Sequence, residues 1–136
     1  MSTSPFELGH AVKRLQHRHH RTMDTRLAPL GLSLVQWNAL REIDRNPGSS
    51  QHRLAELTFN SDQAFGTLAT RLKRLGFVTQ KAGQGRAIVL ELTAKGRTLL
   101  AQGQKVARDM LTESFAPLNE TERTTLQRLL DKALAG

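Results

Sequence analysis

Three groups of residues in this chain have the types and spacings that chemistry requires. The first is "AGQGRA", residues 82 to 87, where Gly83 and Gly85 stand beside Lys81 and Arg86. A G-x-G pair next to cations suits either a loop whose N–H groups cradle phosphate, or a hairpin tip that carries positive charge to an anion. The second is "HAVKRLQHRHHRTMD", residues 10 to 24. Within it His17, His20 and Asp24 fall on one face of a helix, as half of a metal site would. The third is "SDQAFGTLATRLKRL", residues 61 to 75, in which Gln63, Gly66, Thr67, Thr70 and Arg74 oppose a stripe of Phe65, Leu68, Leu72 and Leu75.

The enzyme reading of the glycine pair fails on context. Arg86, Ala87 and Ile88 follow Gly85, so the third glycine of a dinucleotide fingerprint is absent, and a strand follows where a helix N-terminus is needed. There is no G-x-x-x-x-G-K-[ST], H-E-x-x-H or G-x-S-x-G. Cysteine is absent, which excludes disulfides, thiolate metal sites and cysteine redox sensing. No enzyme activity, cofactor or metal is expected. In the histidine run, Arg18, Arg21 and Arg26 are interleaved with the candidate ligands and would repel a cation, so a solvated basic face is the plainer reading. His19 shares its face with Leu15 and Met23; it suits a hydrogen-bonded core or interface histidine, a ligand contact or a pH-sensitive group.

The third group points to a polyanion. Twenty Lys and Arg against twelve Asp and Glu give a net charge of +8, which favours such a partner. Asp62 is the only acid from residue 57 to 90, against Arg71, Lys73, Arg74, Lys81 and Arg86. Glutamine can bond adenine bidentately, threonine offers a hydroxyl and a methyl, and arginine grips phosphate or guanine. An ordinary solvated helix face carries more Glu and Lys pairs.

These residues need elements to hold them. Ser4, Pro5 and Glu7 predict a capping box and a helix running to about Arg26, stopped by Pro29 and Gly31. Ser33 and Gln36 open a second helix with Leu34, Trp37, Leu40 and Ile43 buried, ended by "NPG". A short helix lies in "QHRLAELT", joined by "FN" to the longer one capped by Ser61 and closed by Gly76. "FVTQK" and "AIVLELT" alternate as strands around "AGQG", a hairpin that must lean on a helical core. Thr93 caps the next helix, with Leu99, Leu100, Val106, Met110 and Phe115 as apolar contacts, and Pro117 breaks it. Asn119 and Glu122 box a last helix with Leu126, Leu129, Leu130 and Leu134 on one face.

The fold class is therefore mainly α with a small β-hairpin wing, a winged helix-turn-helix flanked by N- and C-terminal helices, in one domain of 136 residues. No apolar run reaches the length of a membrane span and the N-terminus has no apolar leader, so a cytoplasmic protein without a membrane partner is expected.

Over residues 6 to 134 the sequence resembles the MarR (multiple antibiotic resistance regulator) family. The resemblance is carried by "GLSLVQWNAL", "NPGSSQHRLAEL", "RLKRLGFV" and "RAIVLELTAKG", in that order. It implies a homodimer, with residues 1–30 and 97–136 as dimerisation helices and 31–96 as the DNA-binding region. A two-fold dimer would read double-stranded DNA with a pseudo-palindromic operator. Gln63, Thr67 and Thr70 would then face base edges or nearby phosphates, with Ser61 and Gly66 beside them. Arg71 and Arg74 would grip backbone, and Arg86 would enter the minor groove from the wing, supported by Lys81. Gln84 stands where the family carries an Asp before that arginine.

The resemblance also implies a small, often aromatic or phenolic effector between the dimerisation and DNA-binding regions, for which His19, Met23 and Trp37 are candidate contacts or plain packing residues. The expected function is a sequence-specific transcriptional regulator, a homodimeric repressor released by such a ligand. The alternative is a winged-helix module that binds another protein or nucleic acid without sequence preference.

Overall fold

A computed structural model describes residues 2–83, 85 and 88–136. Its helices begin where side chains satisfy the free N–H groups of the first turn. Helix α1 (Pro5–Leu27) opens with Ser4 Oγ accepting from Glu7 N and proline at the first position. Of the box expected there, this forward bond is the half that forms among the described residues. A short 3-10 turn (Ala28–Leu30) follows and closes at Gly31, whose φ of +76° lies in the left-handed region open to glycine. Helix α2 (Leu34–Arg45) has the full capping box of Ser33 and Gln36.

Helix α3 (Gln51–Leu57) is capped by Ser50 and buries Leu54 and Ala55. At two turns it owes its stability to packing rather than propensity. A turn at Thr58–Asn60 leads into α4 (Asp62–Arg74), capped by Ser61, which buries Phe65, Ala69 and Leu72. Strands β1 (Val78–Ala82) and β2 (Ile88–Leu92) pair antiparallel, Val78 opposite Leu92 and Ala82 opposite Ile88. Helix α5 (Ala94–Phe115) starts at the Thr93 cap, and α6 (Glu120–Ala135) at the Asn119–Glu122 box.

Helix α5 packs on both α1 and α2, while α3 packs on α4, and the hairpin leans on α2 and α4. Phe65, Leu27, Leu40, Leu54 and Leu72 are fully buried at the centre, joined by Phe77, Val78, Leu90 and Leu92 from the hairpin and its approach. Each such side chain contributes roughly 1.5–3 kcal/mol of burial. The wing is anchored to α5 at its base: Thr93 N donates to the Phe77 carbonyl at 3.0 Å and Thr93 Oγ1 to the Gly76 carbonyl at 2.6 Å. Gly96 lies so close to the Phe77 carbonyl that any Cβ there would overlap it.

The terminal helices are different. Phe6 is 90% and Leu134 83% exposed, and Leu8, Val12, Leu111, Leu129 and Leu130 are also exposed. Of the contacts expected along α5, Leu99 and Met110 are buried and Leu100 and Val106 pack against the core, while Phe115 is half-buried against His19.

Candidate nucleic-acid interface and the cavity behind it

Helix α4 turns its apolar stripe into the core, which leaves Gln63, Thr67, Thr70, Arg71 and Arg74 exposed together, with Ser61 exposed at the cap and Gly66 half-buried among them. The Thr67 hydroxyl donates to the Gln63 carbonyl at 3.2 Å and the Thr70 hydroxyl to the Gly66 carbonyl at 3.0 Å. Their protons are thus committed to the helix, and what each threonine offers outward is an acceptor oxygen and a methyl. A Cβ at Gly66 would meet nothing within 4 Å, so the fold itself does not require glycine there. Open space beside a backbone with no side chain is what a closely approaching surface needs.

Among the described residues Arg71 and Arg74 have no carboxylate within ion-pair reach. The neighbouring cations are engaged: Lys73 Nζ donates to Gln80 Oε1 at 2.8 Å, tying α4 to β1, and Lys81 Nζ lies 3.3 Å from Glu91 Oε1 across the hairpin. Lys81 therefore carries less free charge than its position in the sequence suggests. Gly85, at a φ of +68°, is a turn residue in the left-handed region. Gln84 and Arg86, the other wing residues singled out, lie outside the described residues.

Sequence reading missed a second cluster at this face. His52 of α3 binds Asp62, the first residue of α4, at 2.9 Å, and lies 3.5 Å from Glu56. Ten residues separate His52 from Asp62, a spacing with no motif to announce it.

Behind the helix-turn-helix an open cavity of about 1140 Å³ lies between α1, α2, α5 and α6, and His19, Met23 and Trp37 all line it. Trp37 Nε1 donates to the Leu100 carbonyl at 3.1 Å, and the Arg41 guanidinium sits 5.9 Å from the indole centre. His19 Nε2 is 2.6 Å from Ser114 Oγ, and the imidazole meets Phe115 edge-on. Burial, and then the charge of Arg18, hold His19 below its ordinary pKa. Arg41, Asp44 and Arg45 line the α2 wall, with Arg45 3.9 Å from Glu42 and Asp44 3.8 Å from Arg97.

The half metal site does not assemble. His20 pairs with Asp24 at 3.3 Å, but Asp24 Oδ1 accepts from Leu34 N at 2.7 Å, so this carboxylate serves the N-terminus of α2. Among the described residues no three histidines or acids are grouped to hold a metal. No helix among them is long and apolar enough to cross a membrane.

A family model described as MarR family matches residues 30–87, the stretch from the 3-10 turn after α1 to the residue before β2. The HTH-type transcriptional repressor Rv2887 of Mycobacterium tuberculosis is 30% identical over 127 residues, 92% of this chain and 91% of that protein. The HTH-type transcriptional repressor NicR of Pseudomonas putida is 26% identical over 130 residues, 94% of this chain and 82% of that protein. Among solved structures, the Mycobacterium tuberculosis MarR family protein Rv2887 in complex with DNA superposes with a TM-score of 0.79 at 27% identity, covering 96% of this chain and 98% of that one. Its complex with p-aminosalicylic acid gives a TM-score of 0.77 at 29% identity, covering 93% and 97%. Sequence similarity over nearly the full length of both chains, together with the same order of helices and hairpin, places this chain in the MarR family.

Proposed function

We propose that the protein is a homodimeric, sequence-specific DNA-binding transcriptional repressor, released from its operator by a small aromatic acid. The observation that carries this reading is the outward face of α4, where Gln63, Thr67 and Thr70 sit beside two arginines that no described carboxylate neutralises. In this reading the glutamine and threonines read base edges, Arg71 and Arg74 hold phosphates, and Arg86 reaches the minor groove from the wing. The relative solved with DNA supports it.

Dimerisation through residues 1–30 and 97–136 accounts for the exposed leucines of α6 and for Phe6, Leu8 and Val12 of α1, since a second copy would cover them. Residues 31–96 then form the DNA-binding region. The relative solved with p-aminosalicylic acid, a flat anion, supports an effector site in the cavity, with Trp37 and Met23 offering apolar walls and Arg41 the counter-charge. A cytoplasmic location follows from an operator as the partner.

Selection from random double-stranded DNA tests the reading. The expected result is an enriched palindrome with half-site centres about one helical turn apart, lost when salicylate is added. No enrichment would favour instead a module that binds protein or nucleic acid without sequence preference.

A further inference from the structure

His52 stands at the second residue of α3 and Asp62 at the first of α4, on either side of the helix-turn-helix connection. The imidazole Nδ1 lies 2.9 Å from one oxygen of Asp62 and 3.1 Å from the other, while Nε2 lies 3.5 Å from Glu56 Oε1, one turn further along α3. A neutral imidazole has one N–H and one lone pair. With a carboxylate at each nitrogen, the neutral ring would set a lone pair against an anion, whereas the imidazolium donates to both. The two acids accordingly raise the His52 pKa, the hydrogen bond to Asp62 first, then the charges of Asp62 and Glu56.

The surrounding elements do not compete for this ring. Of the acids on α2, Glu42 pairs with Arg45 and Asp44 with Arg97; on β2, Glu91 pairs with Lys81. Arg53, the next residue on α3, adds positive charge. The N-terminus of a recognition helix approaches base edges while the preceding helix crosses the DNA backbone. The His52 cluster bridges those two elements, with Asp62 at the first residue of α4 and Glu56 exposed on α3. With His52 charged they carry a net −1; with His52 neutral they carry −2 beside a polyanion.

We propose that His52 contacts the DNA backbone, its imidazolium positioned by Asp62 and exchanging Glu56 for a phosphate oxygen at Nε2, so that operator binding is coupled to one proton. The looser and exposed Glu56 contact is the one that gives way, and Asp62 is a positioning residue. This inference rests on the DNA-binding reading above.

The test is operator affinity by fluorescence anisotropy at constant ionic strength, on the DNA enriched by the selection. As pH rises through the raised His52 pKa, wild-type affinity should fall by up to about tenfold per pH unit as the ring loses its proton. The salt slope at the acidic end should exceed that at the basic end by about 0.9, one phosphate contact. His52→Gln should erase both differences while unfolding at the wild-type temperature. Asp62→Asn should move the transition to lower pH, and Glu56→Gln should tighten binding throughout. A His52→Gln profile that coincides with wild type overturns the proposal and leaves the DNA-binding reading intact. Failure of the wild type to bind any DNA selectively overturns that reading instead.

Discussion

The indole of Trp37 occupies the space that the Cβ of any residue other than glycine would fill at position 103. The close approach lets α2 and α5 pack in contact, brings Trp37 Nε1 to the Leu100 carbonyl and shapes one wall of the cavity. Gly103→Ala should gain up to about 1 kcal/mol of helix propensity but force the ring outward. Overpacking of this kind costs about 1–3 kcal/mol. Thermal unfolding and tryptophan emission should both shift; a variant that matches wild type in both would show that α5 can slide without cost.

Phe59 is 97% exposed and adopts a φ of +59° in the turn before α4. The turn holds it there. Asn60 N donates to the Ala55 carbonyl at 2.8 Å, Phe59 N to the Glu56 carbonyl at 3.1 Å, and Asn60 Nδ2 to Thr58 Oγ1 at 2.9 Å. A left-handed conformation costs a side-chain-bearing residue about 1–2 kcal/mol, part of which glycine returns through its looser unfolded chain. Phe59→Gly should therefore raise the unfolding temperature by about 2–4 °C. A lower temperature would show that the exposed ring has a partner in the assembled protein.

His19 gives an acid-side dependence with a definite sign. Its folded pKa lies below the ordinary 6.5 because burial, and then Arg18, disfavour the imidazolium. Stability from this site is present above 6.5 and is lost as pH falls through the lower folded value. His19→Gln, which keeps an amide for Ser114 and removes the titration, should flatten that part of the unfolding-temperature profile. Parallel acid limbs in the two proteins would argue against it.

Arg86→Ala should weaken binding to all operators alike and lower the salt slope by about one unit. An unchanged slope and affinity would remove the wing from the interface.

Gln63→Ala should change which sequences are preferred, since a base contact discriminates by about 1–3 kcal/mol. Selection from random DNA by the variant should relax one position per half-site. Equal losses on every sequence would place Gln63 on the phosphates.

The elements were legible because their signals are local. Ser33 with Gln36, Ser61 before α4, Thr93 before α5 and Asn119 with Glu122 each act within one turn, so an i, i+3 spacing announces them. The same periodicity separated the α4 face of Gln63, Thr67 and Thr70 from the buried Phe65 and Leu72. The three cavity residues His19, Met23 and Trp37 could be named through the family resemblance, though not the partners that hold them.

Those partners were decided by how the helices cross. Ser114 is 95 residues from His19 and Leu100 is 63 from Trp37, distances at which sequence spacing carries no geometric information. Asp24 read as a candidate metal ligand until the turn after α1 brought it to the first N–H of α2. The left-handed Phe59 opposes its own local preference because the hydrogen bonds of the turn outweigh it. Amino-acid types and their period set the elements and the face α4 shows to solvent, since both follow from interactions within a turn or two. The pairing of His52 with Asp62, the seat of Trp37 on Gly103 and the cavity between the helices arise only when separate elements meet, since each depends on the angle and depth of their packing.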